Sequence, residues 1–255
     1  MTALSLRGLT WRVGGVSIVD NVDLDLAPGE FLAVIGPNGA GKTSLFNLVS
    51  GLRRPTAGTV SLGDRDVTRL RPHERARLGL GRTFQTSAVF ATLSVAENVR
   101  LAVQARRGGS MRLWASARGQ RSVAEEAQAV LDQVNLAGRD ATLAGALSHG
   151  EKRKLEIALL LAARPKVMLL DEPMAGMSAE EVPALVEVVR GLTKPGAGQP
   201  ASGQSVLMVE HHMDVVLDLA DRVAVMHHGA LLVCDVPSVV MANRTVQEAY
   251  LGEEL

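Results

Sequence analysis

The sequence has few of the features that mark secreted or nucleic-acid-binding chains. Its one cysteine, Cys234, excludes an internal disulfide and suits a reducing compartment. Lysine plus arginine and aspartate plus glutamate both number 27, so the formal net charge is zero. A neutral chain gives no support for a broad electrostatic contact with nucleic acid, although zero net charge does not exclude a local basic patch. We therefore predict no nucleic-acid partner.

Long apolar runs and targeting signals are also missing. No run reaches the roughly 18 residues that a membrane helix needs, and the longest candidate, "IALLLAARPKVMLL", is interrupted by Arg164, Pro165 and Lys166. The start, "MTALSLRGLT", lacks a basic segment followed by an apolar signal core. We expect a cytosolic chain that reaches a membrane only through a partner.

The spacing of apolar residues predicts an α/β fold. Residues 3–35 alternate short apolar runs with Gly and Asp, as strands and turns do, whereas residues 72–136 have mostly helical spacing. After Ser148, helices alternate with apolar strands, which favours a mainly parallel sheet covered on both faces. Two Gly-rich stretches are predicted to be a basic, loosely ordered connector (105–121) and a surface loop (193–204).

The stretch "GPNGAGKT" separates the apolar run "FLAVI" from the amphipathic run "SLFNLVSGL". Its G-x-x-x-x-G-K-T spacing between a strand and a helix predicts a phosphate-binding loop rather than a plain glycine turn. Glycines let the backbone aim N–H groups at phosphate oxygens, and the helix dipole adds positive potential. Lys42 would reach the β- and γ-phosphates of ATP, and the Thr43 hydroxyl would bind Mg²⁺. The predicted nucleotide-binding residues here are Gly36, Pro37, Asn38, Gly39, Ala40, Gly41, Lys42, Thr43 and Ser44.

A second stretch, "VMLLDE", is an apolar strand that ends in two carboxylates. Asp171 could hold Mg²⁺ directly or through water. Glu172 could orient or deprotonate the attacking water, a role worth about 10²–10⁴-fold in rate. Apolar strands that end in acids are common, so this assignment depends on the phosphate loop elsewhere in the chain.

The third stretch is "LSHGEKR". Ser148 and Glu151 have capping-box spacing, which predicts a well-capped helix. A free helix N-terminus with Ser148 and Gly150 would also bind an anion. One nucleotide does not need two such sites in one subunit. We therefore expect Ser148, Gly150 and Glu151 to serve, in trans, the ATP of another copy.

Six motifs make the chain resemble the ATP-binding subunit of ABC transporters over essentially its whole length. To the three stretches above are added "RTFQ", ending at Gln85, "AGMS", and "VEHH", with His211. The resemblance implies an α/β P-loop NTPase core of ABC ATPase type with an N-terminal antiparallel β part and a helical subdomain. It predicts one domain, 1–255, with that subdomain at roughly 86–162 and a strand–helix tail at roughly 223–255.

The resemblance also implies roles for individual residues. Two subunits would sandwich two ATP molecules head to tail, each phosphate loop facing the partner's Ser148–Gly150 helix end. Gln85 would touch Mg²⁺ or the attacking water and sense the membrane subunit, and His211 would contact the γ-phosphate. His212 stands where relatives often have aspartate and is assigned no role. The expected catalytic residues are Glu172, His211 and Gln85, and the expected Mg²⁺ ligands are Thr43, Gln85 and Asp171.

A narrower resemblance concerns the transported solute. "GRTFQTSAVFATLSVAENV", "VEHHMDVVLDLADRV" and "VQEAYLGEEL" are similar to the branched-chain amino acid importer class, while "LSHGE" with "AGMS" also resembles its urea and short-amide branch. The class implies permease subunits, a second ATPase subunit of the same or another sequence, a periplasmic binding protein, and a place at the cytoplasmic face of the inner membrane. Candidate contacts to the permease are Arg82, Phe84 and Phe90.

Two other functions make different predictions. A soluble ABC ATPase acting on DNA or ribosomes would carry a long coiled-coil insertion or duplicated cassettes, and the sequence has neither. A regulatory module without turnover would have a damaged catalytic set, but the expected lysine, carboxylates and histidine are all in place.

Three positions depart from the family pattern. Val13 stands where relatives stack an aromatic residue on adenine, and Trp11 lies two residues before it, on the same strand face if the segment is extended. Either residue could pack on the base. His149 replaces a glycine, which would be strained if the backbone needs positive φ. Ser178 replaces the usual aspartate of "AGMS", which could alter communication between the two sites.

Overall fold

The computed structural model describes residues 2–83, 89–108, 117–193 and 203–251. The chain divides into two compact units. The first, called here the sheet unit, consists of Met1–Arg82, Lys166–Glu172 and Leu192–Leu255. The second, the helical unit, consists of Thr83–Pro165 and Pro173–Gly191. The chain therefore leaves the sheet unit after Arg82, returns for the acidic strand, and leaves again after Glu172.

An antiparallel sheet begins the sheet unit. Its strands are β1 Leu4–Val13, β2 Val16–Leu26, β4 Ala57–Leu62 and β5 Arg65–Asp66, in the order β2-β1-β4-β5. The turn between β1 and β2 is Gly14-Gly15, with φ of 56° and 86°. Two-residue hairpin turns favour positive φ at both positions, which glycine adopts without steric penalty. The predicted strand-rich start is confirmed.

The second sheet of this unit has six strands. They are β3 Phe31–Ile35, β6 Leu80–Arg82, β7 Val167–Asp171, β8 Ser205–Val209, β9 Arg222–His227 and β10 Ala230–Asp235, in the order β10-β9-β3-β8-β7-β6. Among the pairs that these described strands form, β9–β10 is antiparallel and the other four are parallel. Every residue of β3, β7 and β8 is buried, as expected of parallel strands covered on both faces. The predicted fold class is confirmed, although Leu80–Arg82 had been taken for part of a helical stretch.

The sheet unit carries five helices among its described residues. They are α1 Lys42–Ser50, α2 Pro72–Arg77, α7 Met213–Leu219, α8 Pro237–Ala242 and α9 Arg244–Leu251. No helix in the described part of the chain is both long enough and apolar enough to cross a membrane.

A buried arginine closes the C-terminal end of α1. Arg75 is 1% exposed and donates to the backbone oxygens of Leu48, Val49 and Thr68 at 2.6–2.9 Å. Leu48 and Val49 lie in the last turn of α1, where carbonyls lack a full set of intrahelical partners and a cation suits the negative end of the helix dipole, whereas Thr68 lies in the segment after β5. Burial lowers the pKa of Arg75 to about 10, which still leaves it charged at neutral pH. The helix that follows the phosphate loop is thus held at its far end.

The helical unit contains α3 Val95–Arg107, α4 Ala117–Gln133, α5 His149–Ala162 and most of α6 Val182–Thr193. Ser94 caps α3 through a complete capping box with Glu97. The prediction of a loose connector over 105–121 is wrong at both ends, because α3 extends to Arg107 and α4 begins at Ala117. Residues 109–116, and residues 194–202 of the predicted surface loop, lie outside the described part of the chain.

Candidate functional site

The predicted phosphate loop connects the end of β3 to the start of α1. Gly36 has φ of 148°, and a Cβ atom there would lie 2.1 Å from the Met226 carbonyl oxygen. Gly41, the N-cap of α1, has φ of 98°, and a Cβ atom there would lie 2.5 Å from the Ile18 carbonyl oxygen. Both positions therefore require glycine for space as well as for conformation. Ala40 is buried while Asn38 is exposed.

Lys42 is oriented toward the loop that precedes it. It is 6% exposed, and its Nζ donates to the carbonyl oxygens of Gly36 and Pro37, the latter at 2.8 Å. Thr43 is exposed and Ser44 is half-buried in the same first turn of α1. The loop, a cationic side chain and a hydroxyl thus meet at the N-terminal end of one helix, where backbone N–H groups and the dipole favour an anion.

Asp171 ends β7 as a buried residue, and its side chain is 1% exposed. Its Oδ2 accepts a hydrogen bond from Arg82 Nη2 at 2.8 Å. Burial raises the pKa of the Asp171 carboxyl, while the charge and hydrogen bond of Arg82 act in the opposite direction. The prediction that Arg82 contacts a permease is wrong, because its side chain is 10% exposed and directed into the sheet unit.

Glu172 and His211 lie together where two neighbouring strands end. The Glu172 Oε1 and His211 Nε2 atoms are 2.8 Å apart, and both side chains are partly exposed. Glu172 has φ of 47°, a left-handed conformation that a non-glycine residue rarely adopts. Its backbone N–H donates to the Val209 oxygen of β8 at 2.9 Å. The structure thus brings together the two residues predicted to act on the γ-phosphate and the water.

Sequence reasoning missed Glu210, the residue before His211. Glu210 is 2% exposed, and its Oε2 accepts the His211 backbone N–H at 2.7 Å. The same oxygen lies 3.2 Å from Nδ1 of His212, which had no predicted role. A buried carboxylate therefore orients the segment that carries His211. The acidic residue at the end of an otherwise apolar strand was the available signal.

The predicted capping box at α5 is confirmed in the helical unit. Ser148 Oγ accepts the Glu151 N–H at 3.2 Å, and Glu151 Oε2 accepts the Ser148 N–H at 3.0 Å. His149 does not have positive φ, so it replaces glycine without that strain. Its Nε2 lies 3.3 Å from the Ala175 oxygen, within the "AGMS" stretch.

The N-terminus of α5 is not open, contrary to expectation. Glu181 Oε1 accepts the Gly150 N–H at 3.1 Å, and Glu181 Oε2 lies 3.4 Å from both the N and Oγ atoms of Ser178. These hydrogen bonds lower the pKa of Glu181, the one from Gly150 contributing most. The chain thus supplies its own carboxylate to the helix end that was predicted to bind phosphate in trans.

Val13 and Trp11, the two candidates for packing on adenine, differ in their exposure. Val13 is 51% exposed at the end of β1. Trp11 instead packs against the core of the antiparallel sheet, and the guanidinium of Arg53 lies 5.9 Å from the centre of its ring. Of the two residues, Val13 is the more exposed, whereas Trp11 is half-buried.

The remaining predicted residues divide between described and undescribed parts of the chain. Gln85 and Phe84 lie outside the described residues. Phe90 is described and 59% exposed. Its backbone N–H donates to Oδ1 of the buried Asn98 at 2.9 Å, which leaves the ring on the surface while the backbone is held.

The strand, glycine loop and helix, with an acid-ended parallel strand in the same sheet, define a P-loop nucleotide-binding protein. Residues 19–175 match the model of the ABC transporter family. The chain belongs to that family.

Curated relatives agree over nearly the full length. The high-affinity branched-chain amino acid transport ATP-binding protein LivG of Escherichia coli K12 is 35% identical, with 98% of each chain covered. The protein BraF of Pseudomonas aeruginosa, described in the same words, is also 35% identical over 98% of each chain. A probable ABC transporter ATP-binding protein of Azorhizobium caulinodans is 37% identical over 99% of this chain and 84% of its own.

A solved structure has the same fold. The crystal structure of a nucleotide-free ATP-binding cassette from an ABC transporter aligns with a TM-score of 0.81 and 26% identity, covering 99% of this chain and 100% of that one. An ADP conformation of an ATP-binding cassette aligns equally well, with the same TM-score and identity.

Proposed function

We propose that the chain is the ATP-hydrolysing subunit of an ABC importer for branched-chain or related amino acids. The observation that carries the ATPase assignment is the 2.8 Å contact between Glu172 and His211, in the same unit as an intact phosphate loop. The solute assignment rests on the relatives in Escherichia coli and Pseudomonas aeruginosa, which are named for branched-chain amino acid transport. Both units together would form one ATP-binding domain.

ATP would bind with its β- and γ-phosphates on the loop Gly36–Gly41. Lys42, which donates to loop carbonyls, would exchange these for phosphate oxygens. Charge-assisted hydrogen bonds of this kind are about twice as strong as neutral ones. The backbone N–H groups of the loop would complete the cradle.

The residues present also fit Mg²⁺. Asp171 offers a buried carboxylate at the end of β7, and Thr43 an exposed hydroxyl in the first turn of α1. Mg²⁺ prefers such oxygen donors and is usually bound by one or two protein ligands together with substrate phosphates. Bound there, it would neutralise charge on the phosphates. Gln85 remains a proposed third contact.

Glu172 would orient the attacking water and accept its proton, while His211 would contact the γ-phosphate. The geometry supports this division, because Glu172 shares its Oε1 with His211 and both side chains reach solvent. Glu210 would keep the His211 backbone in place through its 2.7 Å hydrogen bond. Catalysis would then be mainly positioning and charge stabilisation.

Two such subunits would associate head to tail on a pair of permease subunits at the cytoplasmic face of the membrane. A periplasmic binding protein would deliver the solute to the permeases. Ser148, Gly150 and Glu151 of one subunit would meet the ATP of the other. The solute itself would not contact this chain. A urea or short-amide importer remains the alternative solute class, because the motif "LSHGE" with "AGMS" is similar to that branch.

Uptake of labelled leucine and labelled urea tests this function in cells that lack the chain. We expect leucine uptake to be lost and to be restored by the wild-type chain but not by Lys42→Ala. Loss of urea uptake alone would keep the ATPase and change its solute. Unchanged uptake of both would reject the importer subclass.

The Val13 site predicts a gain in affinity. Replacing Val13 with tyrosine should tighten ATP binding by about 0.5–1.5 kcal/mol, because an aromatic ring at this exposed position can stack on adenine. Calorimetric titration with ATP measures the effect, and titration with inorganic tripolyphosphate is the control because it has no base. If ATP and tripolyphosphate both bound more tightly by the same factor, the gain in affinity would not come from stacking on adenine.

Removing the Glu181 carboxylate should favour the ATP-bound dimer. Glu181→Ala frees the Gly150 N–H for the partner's phosphate, and we expect ATP-driven association to strengthen on the order of tenfold or less, since Glu181 is half-buried and solvent still screens its carboxylate. Light scattering with ATP, in a Glu172→Gln background that limits turnover, measures it. Glu180→Ala changes an exposed neighbour and serves as the control. Weaker association of the Glu181 variant would contradict the idea that the Glu181 carboxylate competes with the partner's phosphate for the Gly150 N–H.

A further inference from the structure

Arg82 joins two segments that are far apart in the sequence. Its Nη1 donates to Asn47 Oδ1 and Ser50 Oγ on α1, both at 2.8 Å. Its Nη2 donates to Asp171 Oδ2 at the end of β7, also at 2.8 Å. One guanidinium therefore connects the helix after the phosphate loop with the acidic strand. The Arg82 side chain is 10% exposed and that of Asp171 is 1% exposed.

The contacts on α1 have a specific spacing. Asn47 and Ser50 follow Thr43 by four and seven residues, so all three lie on one face of the helix. Arg82 holds that face near its C-terminal end, and the Thr43 hydroxyl stands on the same face in the first turn. Because an α-helix is stiff over so short a length, fixing this face relative to Asp171 also fixes Thr43 relative to Asp171.

Arginine suits this bridge better than lysine does. Its planar guanidinium presents several N–H donors in a fixed fork, so it can bond to two segments at defined angles, whereas lysine is a single mobile point charge. Parallel pairing of β6 with β7, with Arg82 opposite Leu169, holds the backbone of the arginine in the same sheet as Asp171. The bridge is therefore anchored at its backbone as well as at its side-chain atoms.

We propose that Arg82 is a positioning residue for the magnesium-bound nucleotide, and this rests on the proposed ATPase function. By holding Asp171 and α1 together, it would keep the Asp171 carboxylate and the Thr43 hydroxyl, the two proposed Mg²⁺ ligands, in a fixed position relative to each other. Mg²⁺ demands near-ideal geometry, so loosening either ligand weakens its binding more than it weakens that of the nucleotide alone. Arg82 itself would contact neither nucleotide nor metal, because its guanidinium is engaged by Asn47, Ser50 and Asp171.

The test compares ADP affinity with MgCl₂ and with EDTA. The magnesium-dependent gain is the ratio of ADP affinity in MgCl₂ to ADP affinity in EDTA. For Arg82→Met we expect ADP affinity in EDTA to stay within about twofold of wild type, and we expect the magnesium-dependent gain to fall by about tenfold or more. Arg82→Lys should restore part of that gain, because it keeps a charge beside Asp171 without the fork. If Arg82→Met does not fold, as judged by thermal unfolding in EDTA, the lysine variant alone decides: an unaltered gain would overturn the proposal.

Arg75→Met is the matched control. Arg75 is also buried and also holds the C-terminal end of α1, but within the described part of the chain its side chain donates to backbone oxygens and not to Asp171. We expect it to lower stability and leave the magnesium-dependent gain close to wild type. An equal loss in both variants would show that only the anchoring of α1 matters and would overturn the role of Arg82. If wild type itself gains no affinity from MgCl₂, the proposed function and this inference both fail, whereas a wild-type gain that Arg82→Met retains rejects this inference alone.

Discussion

Replacing Glu172 with glutamine is expected to reduce ATP turnover by about 10²–10⁴-fold while nucleotide binding persists. In the wild-type chain Glu172 Oε1 lies 2.8 Å from His211 Nε2. The amide of glutamine keeps the size of the side chain and can still contact His211, but it cannot accept a proton from water. Release of phosphate measures turnover, and a fluorescent ATP analogue measures binding. The two readouts should separate, because the phosphate loop is unchanged.

Glu180→Gln is the control for this change. Glu180 is an exposed carboxylate in the segment that follows Glu172, so it tests the loss of a negative charge without the loss of a proton acceptor. Turnover of this variant should match wild type. Full turnover in Glu172→Gln would reject Glu172 as the base, and loss of both binding and turnover would point to a structural defect at its left-handed backbone.

Replacing Gly36 with alanine is expected to lower the free energy of unfolding by about 3 kcal/mol or more. The new Cβ atom would lie 2.1 Å from the Met226 carbonyl oxygen of β9, and φ is 148°. Backbone in β9 or in the loop must move to relieve this overlap. Urea denaturation of the variant and of the wild type measures the difference.

Gly39→Ala is the matched change three residues further along the same loop. Gly39 has φ of 79°, but a Cβ atom there would meet nothing within 4 Å. Only the left-handed conformation is then penalised, by about 1–2 kcal/mol. Equal destabilisation of the two variants would mean that conformation alone, and not the contact with β9, makes Gly36 necessary.

Local patterns accounted for the elements of the site. The G-x-x-x-x-G-K-T spacing predicted the loop between β3 and α1, and the S-x-x-E spacing predicted the cap of α5. Both features depend on residues that are close in the chain, so their geometry follows from spacing. The short strand β6 was missed because Leu80–Arg82 offers three residues, too few to show a period of two.

Residue types alone thus determined a nucleotide-binding α/β chain with a phosphate loop, an acidic strand end and a histidine after the next strand. The tertiary structure decided which partner each charged side chain contacts: Arg82 contacts Asp171, Glu181 accepts the Gly150 N–H, and Glu210 contacts His211 and His212. The first of these pairs is 89 residues apart in sequence. Sequence periodicity reports which face of an element is buried, whereas the partner of a buried charge depends on which strands and helices become neighbours, and that is settled only when the elements pack.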